Sequence, residues 1–416
     1  MRLIIFKFFI LVFLIVNCSN AQDDFTAGSP YSIFGLGDLE YFTNMRNNAM
    51  GIQGIGLYGN HVNNLNPAAN TKLSYSNFSI SAKYGFLKST DGTLTNEVSN
   101  GNVNGINIGI PFNQNNGWSL ILGFNPVSQV EYIITNEGSV EGRDYIETFY
   151  GDGGLTRINI GMSYIIFKSI SVGLEYDYSF GSLTRLTTKN FSNDTLTNSN
   201  SKRVHNMQGS FFKGGMIFDV GSIFNNKTLE DLSIGVFYQT RYKLSSDVDK
   251  IYGSSIGFDT VSKSEEDITM PEAFGFGISN KFGDRYIVSG DVYFQQWSQY
   301  KENNVTPAGM QNSIRYGLGF EMTPSSRKDR KFYNDLYYRL GVFYDKSYYK
   351  VNNEDINRYG VSVGLGIPLG TFNSFDLGIS YFIRGKTGNG LIKDEYLKLT
   401  AGLNFGELWF LKTRED

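Results

Sequence analysis

Ile170-Ser171-Val172-Gly173-Leu174-Glu175-Tyr176-Asp177-Tyr178-Ser179-Phe180 alternates without a break. One set of alternate positions holds Ile170, Val172, Leu174, Tyr176, Tyr178 and Phe180, and the other holds Ser171, Gly173, Glu175, Asp177 and Ser179. A period of two is that of a β-strand with one apolar and one polar face. A soluble sandwich turns such an apolar face to a core. A transmembrane barrel turns it to lipid and the polar face, here Glu175 and Asp177, to a wet lumen. One strand fits both readings, and the connectors separate them. Segments of barrel-strand length recur between positions 76 and 406, and after the first strand their connectors alternate long and short. Positions 89–102, 137–154, 181–206 and 243–270 are long and polar, whereas Asn113-Gln114-Asn115-Asn116, Phe167-Lys168 and Gly283-Asp284-Arg285 are short. Barrels of the outer membrane pair short periplasmic turns with long outer loops. The connector 323–335, longer and more basic, is an exception. The reading is all-β: an antiparallel transmembrane barrel of about 14 strands spanning 76–416, with its last strand returning to the periplasmic side.

Composition agrees. Glycine (47), tyrosine (27) and phenylalanine (33) are abundant, and proline (8) and histidine (2) are scarce, among 416 residues. Aromatic residues suit strands, and glycine suits turns and close backbone approaches. A closed sheet absorbs this length as one domain. The net charge of -3 gives no basic footprint for nucleic acid. Residues 1–21 have the form of a secretory signal peptide, with Arg2 and Lys7 ahead of the apolar run Phe8 to Val16, which is too short to span a bilayer. Ser19 and Ala21 place the cut before Gln22; the rival reading, a lipidated Cys18, lacks the small residue expected ahead of the cysteine. The destination is the outer membrane, which makes its lipid and its insertion machinery partners.

Residues 22–75 break the strand pattern. They contain Ser29-Pro30-Tyr31-Ser32-Ile33-Phe34-Gly35, then Ala49-Met50-Gly51, then Asn66-Pro67-Ala68 just ahead of the first strand. So irregular a segment would leave backbone groups unpaired in lipid, so it belongs inside or below the barrel. Asn66, Pro67 and Ala68 read either as a hinge or as the turn that starts the first strand. Phe124-Asn125-Pro126 interrupts the third strand, and Pro126 cannot donate to a ladder. Either Asn125, Pro126 and Ser128 flank a gap in the wall, or they form a simple bulge.

Ala-Met-Gly, a glycine-rich stretch and Asn-Pro-Ala before a barrel resemble the FadL-type family of outer-membrane transporters, as do the third-strand interruption, Val292 to Ser298 and Arg339-Leu340-Gly341-Val342. The opening Ser-Pro-Tyr-Ser resembles a Bacteroidota-type variant. The resemblance implies an N-terminal hatch, a lateral exit at the third strand, and passage of hydrophobic small molecules such as long-chain fatty acids. The alternative, resembling PorV-type relatives, is an accessory barrel that binds other proteins of a secretion or assembly complex. An open apolar cavity distinguishes the first from the second, whose lumen is filled or whose side opening is occupied. A diffusion porin ranks third, because porins lack a plugging N-terminal segment.

Nothing points to catalysis. His61 and His205 have no serine beside them that the strand pattern identifies, and Glu175 with Asp177 pairs more naturally with Arg157, Lys213 or Arg241 than as acid and base. No cluster has metal-ligand spacing, and the acidic Asp247, Asp249 and Glu265-Glu266-Asp267 read as a solvated loop. No cofactor is expected.

Overall fold

The computed structural model describes residues 28–41, 44–140, 142–192, 197–254, 257–325 and 332–409. The signal peptide, its cleavage site and Cys18 lie outside the described residues, as do 326–331 of the basic connector.

Eighteen hydrogen-bonded segments make one sheet; two are two-residue pieces off the wall, and two wall strands are each interrupted once, which leaves fourteen. They are β1 (Ser76–Thr90), β2 (Thr95–Asn113), β3 (Trp118–Val140), β4 (Arg143–Ile166), β5 (Ile170–Phe191), β6 (Ser199–Asp219), β7 (Leu232–Gln239, then Tyr242–Ser254), β8 (Gly257–Met270, then Ala273–Phe282), β9 (Tyr286–Gln295), β10 (Ser313–Met322), β11 (Tyr337–Val351), β12 (Glu354–Pro368), β13 (Ser374–Gly388) and β14 (Leu391–Glu407). Every wall pairing is antiparallel, and β14 closes on β1 from Lys393↔Thr90 to Glu407↔Ser76.

The strands run further than the alternation suggests. β3 and β4 pair out to Val140↔Arg143, and β5 and β6 out to Lys189↔Ser199. The segment 243–270, expected as a loop, is a hairpin closing at Ser254↔Gly257. Outside the bilayer neither face of a ribbon has to be apolar, so the sequence pattern fades where the backbone ladder continues.

The lipid-facing set alternates as β5 requires. Leu174 is 59% exposed and Tyr176 and Tyr178 are exposed, while Ser171, Glu175, Asp177 and Ser179 are buried. Aromatic pairs stand near the two ends of the lipid-facing band, Phe112–Trp118 and Trp118–Tyr164 below and Tyr84–Phe86 above. Leu174 lies between these levels, at Met162 of β4. Replacing Leu174 with Arg is expected to cost about 2–4 kcal/mol in a lipid-vesicle folding titration. A loss below about 1 kcal/mol would place Leu174 off the lipid face.

Residues 28–75 contain a 3-10 turn at Pro30–Ile33, a short helix at Met45–Ala49 and a second 3-10 turn at Pro67–Lys72, and they pack against the inward positions of most strands. Glycines on the wall allow the close approach. A Cβ on Gly215 would lie 1.8 Å from Asn66 Oδ1, and one on Gly341 would lie 2.1 Å from the Met50 carbonyl.

Candidate functional site at the wall gap

β2 and β3 pair only from Ile106↔Phe124 to Asn113↔Trp118. Above that fork β2 is paired with β1 alone and β3 with β4, so the wall has a gap there. The local sequence explains it. The ladder on the β4 side shifts register between Pro126 and Ser128, opposite Thr156 and Leu155, and Gly154 (φ 152°) and Gly153 (φ 112°) follow directly, opposite Gln129 and Val130. A bulge bends its strand, and left-handed backbone of this kind favours glycine. The bend therefore rests on the bulge and the glycine pair as much as on Pro126. Pro126→Val is expected to leave the gap in place and change stability by at most about 1 kcal/mol, one net hydrogen bond. Hydrogen exchange that becomes uniformly slow above Phe124 in this variant would make Pro126 the sole cause.

The N-terminal segment occupies the gap. Asp38 and Leu39 form a two-residue antiparallel strand with Gln129 and Ser128. The Glu40 N–H donates to the Val127 carbonyl at 2.9 Å. Ser32 Oγ accepts the Glu131 N–H at 3.1 Å. Glu40 forms an ion pair with Lys83, and the Asn100 and Gln129 side-chain amides donate to the Glu131 carboxylate. Burial by itself would raise the Glu40 carboxyl, but Lys83, with Lys398 and Arg358, holds it at about 2.

Of the residues singled out at this strand, Pro126 and Ser128 line an open cleft of about 440 Å³ at the gap, with Lys83, Asn102, Val103, Gln129 and Glu131 among its other walls. Ser128 Oγ also accepts the Leu155 N–H at 3.3 Å. Asn125 does not front the gap. It is fully buried in the lumen and donates to Asn107 Oδ1 at 2.9 Å.

Asn66, Pro67 and Ala68 form a capped turn. Asn66 Oδ1 accepts the Ala68 N–H at 3.1 Å, and its Nδ2 donates to the Ile55 carbonyl at 2.6 Å. All three residues are buried, with Ala68 against Ile217 of β6.

The lower lumen is filled with paired charge. Glu175 pairs with Lys213, which lies 3.2 Å from Asp177 and donates to the Asn64 carbonyl at 2.5 Å; Arg157 lies 3.6 Å from Asp177. Arg241 departs from expectation: it is exposed, at the break in β7. A second network of four charged groups has no joint signature in the sequence. Arg46 of the N-terminal helix bonds Glu321 at 2.7 Å, Glu321 bonds Arg339 at 2.7 Å, and Arg339 pairs with Asp376. Asp291 Oδ2 accepts the backbone N–H groups of Gln53 (2.8 Å) and Gly54 (2.7 Å). Parity along the strands is the signal that would have found these wall charges.

The upper lumen holds an apolar cluster beside the buried pairing of Arg384 with Asp38 and Asp394. Tyr31 and Leu36 pack with Val130, Leu183, Trp297, Tyr300, Tyr348 and Tyr349, and the Trp297 and Tyr348 rings stack at 4.2 Å. Between Leu39–Tyr41 and the wall lie two cavities of about 70 and 60 Å³. Each has room for a few waters, whereas benzene occupies an apolar cavity of roughly 150 Å³.

One expectation about catalysis is corrected: Ser246 Oγ lies 3.3 Å from His205 Nδ1, brought there by pairing of β6 with β7. The contact is diagonal across two strands, so no local pattern reveals it. Ser246 is fully buried, which keeps a substrate away. The acidic stretch is cross-strand paired, with Asp267 3.1 Å from Lys243. Among the described residues no group of three or more His, Cys, Asp or Glu side chains could hold a metal ion.

A closed fourteen-strand barrel with a parted third strand and an N-terminal segment against its lumen has the fold of the FadL-type outer-membrane barrels. The structure is similar to that of a Pseudomonas aeruginosa FadL homologue, with TM-score 0.63 and 13% identity over 88% of this chain and 99% of that one. It is similar to the P. putida toluene transporter TodX (TM-score 0.60, 13% identity, 90% and 100% coverage) and to the monoaromatic hydrocarbon channel CymD (0.59, 14%, 91% and 100%). The last two are a transporter and a channel, and at such identities the likeness is one of fold. By sequence, the BamG family model matches residues 3–416, and the chain belongs to the BamG family. No curated protein matches it by sequence.

Proposed function

We propose that this barrel is a non-transporting accessory subunit of an outer-membrane protein assembly complex. One observation carries the reading: the chain's own N-terminal segment pairs with β3 in the wall gap, and the cavities between Leu39–Tyr41 and the wall measure about 70 and 60 Å³. Opening a route would break the Lys83–Glu40 pair and strip several backbone bonds from the gap. The family name, BamG, points to assembly machinery as the partner.

A second reading, passage of hydrophobic small molecules from the outer loops through a moving hatch, has its own support. A crevice of about 370 Å³ at the outer mouth is lined by Ile33, Phe34, Tyr132, Phe149 and Tyr349, and fold neighbours include hydrocarbon transporters. Long-chain fatty acids belong to this reading.

A lock separates the two. Leu39 and Ser128 are Cα partners, so Leu39→Cys with Ser128→Cys is positioned to form a disulfide. Cells carrying only the locked protein are expected to keep normal levels of other outer-membrane barrels, and the barrel to co-purify with the insertion machinery. Normal assembly in cells depleted of the protein, together with fatty acids or hydrocarbons identified by mass spectrometry in the purified wild type and their uptake lost in the lock, would overturn the accessory reading.

A further inference from the structure

We propose that the free edge of β2, Thr95–Gly105, is a docking site for an extended strand of a partner outer-membrane protein, added by β-augmentation. Residues 95–105, apart from the bulged Asn104, are paired with β1 on one side, and no described residue forms a ladder with their other side. This edge spans the outer rim of the lipid belt. Tyr84 and Phe86, in the upper aromatic level, pair with Gly101 and Ser99, so Gly101 to Gly105 stand at or below it. Water can meet the backbone groups above that level. Lipid cannot meet those below it, where each unpaired group costs several kcal/mol.

The protein already uses strand pairing here, but only on the opposite side. Asp38 and Leu39 take two residues of the β3 edge and leave the β2 edge open. The cleft of about 440 Å³ follows that open edge past Asn102, Val103 and Gly105 and reaches Lys83, Gln129 and Glu131 beside the N-terminal segment. Its wall chemistry suits a polypeptide better than an acyl chain. Asn102, Gln129 and Asp152 offer polar partners, while Val103 and Phe124, both exposed, continue the apolar belt. An amphipathic barrel strand matches both halves: its backbone completes the ladder, its apolar face continues the belt, and its polar face meets the asparagines.

This deepens the accessory reading and rests on it for the source of the strand. The test uses the purified full-length barrel and a synthetic peptide with the sequence of this chain's own β14, Leu391–Glu407, the strand that pairs with β1. Amide exchange at 95–105 is expected to slow at least tenfold with the peptide. A peptide N-methylated at alternate residues, which keeps the side chains but breaks the ladder, is expected to have no effect. No slowing, equal slowing by both peptides, or slowing by phosphatidylethanolamine alone would overturn the strand site. Depletion in cells tests the accessory reading separately. A responsive edge with unchanged outer-membrane protein content would remove that reading and keep the site.

Discussion

Glu321→Ala is expected to cost about 3–5 kcal/mol, because it strips the shared anion from two buried arginines. Glu321 receives Arg46 through two nitrogens and Arg339 through a third, and all three side chains are nearly inaccessible. Arg339 keeps Asp376, whereas Arg46 keeps only the Tyr58 carbonyl at 2.7 Å. The loss therefore falls mainly on the anchoring of the Met45–Ala49 helix to the wall. Limited proteolysis is expected to cut the variant within 28–75 while the barrel keeps its heat-modifiable migration. A folding titration within about 1 kcal/mol of wild type, with the segment still protected, would show that the anchoring lies elsewhere. Glu321→Gln, which keeps the shape and loses the charge, separates the electrostatic part from the packing part.

Lys213→Met is expected to be about as costly, roughly 3–5 kcal/mol, for the converse reason. It leaves Glu175 and Asp177 facing each other in a site with no solvent access, and the remaining cation, Arg157, is 3.6 Å from Asp177. The triple variant with Met at 213 and Gln and Asn at 175 and 177 is expected to recover most of the loss, since neutral amides need no counter-ion. Failure of the triple variant would mean that the Lys213 bond to the Asn64 carbonyl carries the effect. The readout is the midpoint and amplitude of a urea titration in lipid vesicles.

Lys213, on a strand whose inward set also holds Met207, Phe211 and Ile217, is placed by its pairing opposite Glu175; Glu175 and Asp177 were legible because their strand alternates cleanly and parity alone assigns the face. Arg46 and Glu321 were not. They sit 275 positions apart, one of them in an irregular segment, and no periodicity relates them. Pro126 marked the right stretch of wall for a physical reason, its missing donor. It did not reveal that the bend is shared with Gly153 and Gly154 on the next strand, nor that Asn125 turns inward.

The sequence by itself determined the class of fold. Lipid outside and a polar lumen inside force a period of two, and short inner turns with longer outer connections force the rhythm of the strands. Both constraints are local, so they are written along the chain. Only the tertiary structure decided what fills the barrel and what covers its gap. Asp38–Leu39 is too short for any periodicity, and its partners are about ninety residues away on β3. Nor does a residue's own segment show whether a lumen charge finds a partner or the edge of β2 stays open, because each depends on which strands closure brings side by side.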